Sequence, residues 1–495
     1  MSYSRNMTQT HTCTAKIAAV VGVAALAVLG VAGSAQAATH TTVISVIPNG
    51  PTAIGAAPTG AAVDAVHGRA YVANYDDDTV SVIDTTGMGT TVSAVIPHGA
   101  TGIGDGPWAV AVDVVHNRAY VTNSNDNTVS VIDTTGNGAT VTAVIPSGMT
   151  GIGDSPQGVA IDPVHSRAYV TNHNDGTVSV IDTAGAGSSV SAVIPYGAAS
   201  IGHGAYGVDV DVAHDRAYVA NHDDDTVSVI DTTGTGTTVS AVIPAGAASI
   251  GGHPLGVSVD VEHNRAYVSN YDDGTVSVID TTGTGVTVSA VIPNGPASIG
   301  AGPTGIAVDD EHDRAYVTNY GLGTVSVIDT TGAGASVVEV VPHGPTSIGS
   351  GPMGVAIDSN HDRAYVANNV DGTVSVLGTQ TSPVITTPAG ALAGGTVASA
   401  YAPVTIAATG SPAPTFTATG ALPPGLTLSA AGMISGTPTA AGTYTFTVVA
   451  ANGVDPDATQ TFTIAISAAA VVPTPATPGA AGAAKPAAHL PVVSG

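Results

Sequence analysis

The chain returns to one phrase seven times. YVANYDDDTVSVIDTT, starting at Tyr71, recurs with small changes from Tyr120, Tyr169, Tyr218, Tyr267, Tyr316 and Tyr365, always 49 residues on. A constant period of this length calls for an array in which one supersecondary unit buries its faces against copies of itself. Each period divides into β-rich runs separated by turn residues, in the first copy 61–66, 69–74, 79–85 and 91–96. Four-stranded units at this spacing are the blades of a β-propeller, and seven of them close a ring. The run HGATGIGDGP, residues 98–107, is too rich in glycine for a strand interior and becomes the crossing to the next inner strand.

Closure is written into the two ends of the array. TVISVIPNGP, residues 42–51, lies one period before TVSAVIPHGA, residues 91–100, and is an outer strand with no blade of its own. The seventh copy supplies 354–358, 363–368 and 373–377, then breaks at Gly378 with no TVSAVIP to follow. The N-terminal strand is therefore expected to complete the last blade and to remove an exposed sheet edge.

A tight turn at Asp76-Asp77 sets Tyr71 opposite Val82 and Arg69 opposite Asp84. One blade face then carries Tyr71, Ala73, Val80 and Val82, and the other Ala70, Val72, Ser81 and Ile83, so the large face of each blade should pack on the small face of a neighbour. The same register gathers Asp64, His67, Arg69 and Asp84 at one edge. The Asp-His-Arg part recurs in all seven copies, with Gly378 at the Asp84 position of the last; groups so spread around a ring lack the convergence a catalytic site needs and read as a turn and ion-pair latch within each blade.

The Tyr-Val-x-Asn core followed by TVSVID resembles the YVTN family of β-propeller repeats over residues 41–378. The resemblance implies a scaffold or binding platform and no single chemistry. Past Thr379 a second pattern begins, with β-like segments 404–408, 415–419, 443–450 and 459–466 that suit a small β-sandwich. Within it, LPPGLTLSAAGMISGTPTAAGTYTFTVVAANG, residues 422–453, resembles the immunoglobulin-like repeats of bacterial surface proteins. That resemblance covers about residues 383–467 and implies a spacer or adhesive module without catalytic residues. Residues 468–495 are rich in Pro and Ala, cannot bury a core and read as a flexible tail. Its end, LPVVSG, shares only part of the LPxTG sorting signal.

Charge and the N-terminus narrow the setting. Lys and Arg total 10 against 36 Asp and Glu, a net charge of -26, which disfavours nucleic acid and anionic lipid as partners. Arg5 and Lys16, an apolar run over 17–33 and Ala35-Gln36-Ala37 make a secretory signal, residues 1–37, cut after Ala37. The mature chain is expected to be an extracellular or surface-associated monomer without a membrane span. The one cysteine, Cys13, leaves with the signal.

Positions that differ among otherwise near-identical copies are not needed for the blade. One set lies just before the inner strand: Thr59, Trp108, Gln157, Tyr206, Leu255, Thr304 and Met353. The other follows the YVxN asparagine: Tyr75, Ser124, His173, His222, Tyr271, Tyr320 and Asn369. In a four-stranded meander both sets fall on one mouth of the channel. Trp108, Gln157, Tyr206, Met353, Tyr75, His173, His222, Tyr271 and Tyr320 form the candidate face for a protein or glycan partner. The acidic turns, such as Asp76-Asp77-Asp78, vary too freely between copies for dedicated calcium loops, and no metal or other cofactor is expected. The reading is a non-catalytic binding or adhesion scaffold. The alternatives are an exported propeller enzyme of lactonase, lyase or quinoprotein kind, for which His173 and His222 are the best pair, and a surface-layer component.

Overall fold

The computed structural model describes residues 39–470 apart from 198, 247, 345 and 455; the signal and all but the first three residues of the tail lie outside them. Seven sheets of four strands follow one another at the repeat period, the first built from Pro58–Asp64, Arg69–Asn74, Thr79–Asp84 and Thr91–Ile96. The inner strand thus lies earlier than its alternating residues indicated. It begins at Pro58, paired with Asn74 across an irregular register, and stops at Asp64, whose carboxylate accepts from His67 N at 3.1 Å and starts the turn. The central hairpin has the expected register, Tyr71 opposite Val82 and Arg69 opposite Asp84.

The motif residues hold the blade through their side chains. Asn74 Nδ2 donates to Thr79 Oγ1 and to Ser81 Oγ, both at 3.0 Å, and Ser81 Oγ donates to Ala53 O at 2.8 Å. The asparagine of YVxN, the threonine and serine of TVS, and the incoming crossing are thereby tied together. The acidic turns serve the same crossing: Asp77 Oδ2 accepts from Ala56 N, Asp126 from Asp105 N and Asp175 from Asp154 N, at 2.8, 2.9 and 2.8 Å.

Blades pack large face on small face. Tyr71, Ala73, Val80 and Val82 share a core with Ala119, Val121 and Ile132 of the second blade, and the other interfaces repeat the arrangement. Tyr71 is wholly buried; burying such a side chain stabilises by about 1.5–3 kcal/mol. The ring closes as the sequence indicated. Thr39–Ile47 pairs antiparallel with the third strand of the seventh blade, Val43 opposite Leu377 and Ile47 opposite Val374. Tyr365, Ala367, Val374 and Val376 then pack on Ala70, Val72 and Ile83 of the first blade.

The latch expectation is corrected in one half. His67 Nδ1 does meet Asp64 Oδ2 at 2.7 Å inside its own blade. Arg69 does not pair with Asp84: its Nη1 donates to Thr134 O at 2.6 Å and its Nη2 to Gly136 O, both in the second blade. The cause is strand geometry. Arg69 and Tyr71 are two residues apart and share the face turned to the next blade, while Asp84 is already held by its own turn, accepting from Thr86 N and Oγ1 at 2.9 and 2.6 Å. Those bonds keep the Asp84 carboxyl below its ordinary value. The arginines are clasps between blades, and Arg363 clasps the ring shut on Thr85 O and Gly87 O. Only Arg314 differs, because the seventh blade has no DTTG loop; it takes the carboxylate of Asp362 and Thr379 Oγ1 instead.

The second fold is continuous with the first. A single strand, Thr373–Ile385, leaves the seventh blade, and its far end pairs with Ala408–Ser411, so the break expected near residue 379 is not a break in structure. Beyond it, a sheet built on Gly442–Ala451 and Ala458–Ser467 faces a three-stranded sheet around Ile406, Phe416, Leu426, Ile434, Phe446, Phe462 and Ile464. No helix among the described residues is long and apolar enough to cross a membrane.

Candidate binding site at the propeller mouth

The inner strands approach one another closely because six of the seven carry glycine at one channel position, with Ala109 in the second blade. A Cβ on Gly207 would lie 2.1 Å from Leu255 O, and one on Gly354 would lie 2.3 Å from Thr59 O. The residue before each glycine is thereby pushed to the channel wall. Those six residues, with Trp108 before Ala109 as the seventh, line a narrow cavity of about 150 Å³.

Above it opens a wider cup of about 570 Å³, to which Trp108, Tyr206 and Met353 contribute together with Tyr75, His173, His222, Tyr271 and Tyr320. The two variable sets thus meet at one mouth, as the meander geometry required. Gln157 stays in the narrow part. It is buried, its Nε2 donates to Ser124 Oγ at 3.1 Å and to Ser155 Oγ at 3.2 Å, and its Oε1 has no partner. Asp76, Leu255, Thr304 and Asn369 complete the cup.

The rings form an arc. Tyr75 meets Trp108 edge-on at 5.4 Å, Trp108 meets Tyr206 edge-on at 6.1 Å, and Tyr206 meets His173 edge-on at 5.9 Å. His173 lies 5.8 Å from His222, which stacks on His253 at 4.4 Å. Tyrosine at this rim position leans over the next blade's crossing: a Cβ on Gly106 would be 3.0 Å from Tyr75, and one on Gly351 would be 2.9 Å from Tyr320. Space excludes a side chain at these two glycines, whose positive φ, +63° and +61°, recurs in Ala57, Ser155 and His253 at the equivalent positions. Burial pushes the Tyr206 phenol well above its ordinary value, and it stays a neutral donor and acceptor at physiological pH. Such edge-to-face rings present rigid apolar walls with polar tips.

His253, Asp223 and Asp272 were not among the residues picked from sequence. The signal for His253 was present, since the other copies hold Ala57, Gly106, Ser155, Gly204, Gly302 and Gly351 there. Asp209 was also missed. It stands lower on the fourth inner strand, where five copies have alanine and one has Ser258. Its carboxylate accepts from Val210 N at 2.9 Å and from Val259 N of the next blade at 2.8 Å. Burial nevertheless raises it to about 6. Asp310 is raised to about 6 as well, by burial and then by the neighbouring Asp260, Glu262 and Asp209.

Fold and cup together define a seven-bladed β-propeller followed by an immunoglobulin-like domain. In sequence, residues 209–411 match the family described as "Lactonase, 7-bladed beta-propeller" and residues 364–467 the one described as "Putative Ig domain". No curated protein matches the chain. Among solved structures, the hydrazine synthase of Kuenenia stuttgartiensis is similar at 18% identity with a TM-score of 0.52, over 65% of this chain and 95% of that one. U3-55K is similar at 12% identity and TM-score 0.53, over 68% and 98% of the two chains. The Cps50 (Swd1) propeller of Myceliophteria thermophila follows at 9% and 0.52, over 68% and 99%. At these identities the likeness is one of fold.

Proposed function

We propose that the chain is an exported binding protein of the YVTN propeller type, displayed at a cell surface, whose mouth seats a protruding group of its partner. One observation carries this reading: eleven of the fourteen side chains in the two variable sets line a single aromatic cup of about 570 Å³, within the range of about 300–1,000 Å³ typical of small-ligand pockets. A glycan suits the cup best. Trp108, Tyr206 and Tyr75 offer faces and edges for a sugar ring, while Asp76, Asn369 and the histidines offer hydroxyl partners. A flat protein interface would leave so recessed a cup unfilled. The immunoglobulin-like domain then acts as a spacer and adds no chemistry. The test is a glycan array probed with the mature chain, followed by calorimetry on the best hit with W108A/Y206A as control. Binding that the double variant keeps would move the site elsewhere.

A second reading is favoured by the match of residues 209–411 to the lactonase family. On that reading the cup admits a lactone, and His173 or His222 serves as acid or base. Turnover of a lactone panel by the mature chain, lost in H173A and H222A, would replace the binding reading with this one.

A further inference from the structure

Three histidines break the repeat on one short arc of the rim. His173 and His222 occupy the position that the other blades fill with Tyr75, Ser124, Tyr271, Tyr320 or Asn369, and His253 stands where four of them have glycine. They come from the third blade, the fourth blade and the crossing into the fifth. A donor set assembled from separate blades depends on the closed ring.

The geometry points to a site for one transition-metal ion of the zinc, nickel or copper class, held by His173, His222 and Asp223 on the wall of the cup. One ligand atom from each of the three lies within 4.8 Å of those of the other two, so small side-chain rotations bring them to the roughly 2.0–2.2 Å bonds of such an ion. Two imidazole nitrogens and one carboxylate oxygen select a borderline ion over calcium or magnesium, which prefer all-oxygen shells. Asp223 Oδ1 already lies 2.7 Å from His222 Nδ1. The second layer is in place too: His253 stacks on His222, and its Nδ1 lies 2.5 Å from Asp272 Oδ2. The Asp272 bond holds the His253 ring, and that ring in turn covers one face of His222. Three protein ligands leave a fourth position open, and two of the three, His173 and His222, are wall residues of the cup, with Asp223 beside them outside its lining.

Other mixed clusters lack these features. Asp309, His312 and Asp362 gather around Arg314, which already supplies their cation at 3.5 Å from Asp309. In the group of Asp78, His98 and Asp105, the Asp78 carboxylate is taken by Gly106 N at 2.8 Å. Apart from His312, the latch histidines belong to no compact group of three donors among the described residues, each standing beside one aspartate of its blade.

The test is independent of any partner. An untagged mature chain, dialysed free of metal, is titrated with Zn²⁺, Ni²⁺, Cu²⁺ and Ca²⁺ by calorimetry, with bound metal counted by elemental analysis. One equivalent of Zn²⁺ is expected, with no heat from Ca²⁺. Affinity should fall at least 30-fold in H173A and in H222A and stay within threefold in H98A, with metal-free melts of all three unchanged. Trp108 is the chain's one tryptophan, and saturable quenching of its emission by Cu²⁺, lost in H222A, is the second readout. No saturable binding of any of the three transition metals at 100 μM, or full affinity in the double variant H173A/H222A, would overturn the site. Loss of the glycan reading alone would leave these results as they are.

Discussion

Two groups of histidine in the propeller lie on opposite faces. At one, His67, His116, His165, His214, His263, His312 and His361 each answer a buried aspartate three residues earlier, at 2.7–3.0 Å. At the other, His173, His222 and His253 meet one another across blades, two at 5.8 Å and two at 4.4 Å. The residue type is the same, and only the distribution separates architecture from site. A group present in every blade solves a problem that every blade has. A group present in two or three adjacent blades solves a problem that belongs to one place.

If that contrast is right, damage to repeated elements must lower stability and spare the mouth. The largest effect is expected from deleting residues 39–47. The seventh blade then loses its outer strand, the packing of Ile47, which is 2% exposed, and the pairs from Val43 to Ile47. At about 1.5–3 kcal/mol per buried aliphatic side chain, with a ladder lost besides, the change is at least about 5 kcal/mol. Urea denaturation of the truncated and full mature chains measures it, and equal midpoints would break the closed-ring account.

The clasps come next, and they are not equal. R314A leaves the partly buried Asp362 without its cation, while Asp309 keeps His312 and Ser359, so the loss is expected at about 3 kcal/mol, the low end for breaking a buried pair. R69A removes bonds to two carbonyls, one of them exposed, and is expected to cost about 2 kcal/mol. Equal melts for the two variants would mean that the seam is held no differently from the other interfaces.

A smaller effect distinguishes the channel from both faces. Asp209 is raised to about 6 by burial, so the fold prefers its neutral form. The sign follows: the chain loses stability as pH rises from about 4 through about 6, and the loss is complete above that. D209N keeps an acceptor for Val259 N and has no proton to lose. It should remove about 1–2 kcal/mol of pH dependence over that interval. Chemical denaturation at pH 4.5 and 7.5 reads the difference, and parallel profiles for wild type and D209N would refute it.

What the chain's letters could and could not disclose follows the same division. The hairpin register, the face of each side chain and the borrowed outer strand were legible, because alternation and a constant period leave one solution for Tyr71, Val82 and residues 42–47. The mouth was legible as a set of positions, since departures from a repeat are visible without coordinates. The reach of Arg69 was not, because a cross-strand neighbour such as Asp84 is the obvious partner until the next blade is in place. Asp223 reads in sequence as one more acidic turn residue and His253 as a departure from small residues at its position. That the two belong together is visible only once both stand beside His222.

The smallest change in stability and the largest in binding should come from the same substitution. Trp108 meets Tyr75 and Tyr206 edge to face and stands on the cup wall without joining any blade core. W108A is therefore expected to lower stability by less than about 1 kcal/mol, in the range of surface changes. Its effect on partner affinity should exceed about 2 kcal/mol, roughly 30-fold, as for an aromatic anchor at the centre of a site. V66A, an exposed apolar residue at 66% on the opposite face, serves as the matched control and should move neither quantity. Melts and titrations on the three proteins decide the point. If W108A unfolds the ring while leaving affinity intact, the mouth is architecture like the latches, and the contrast between the two faces fails.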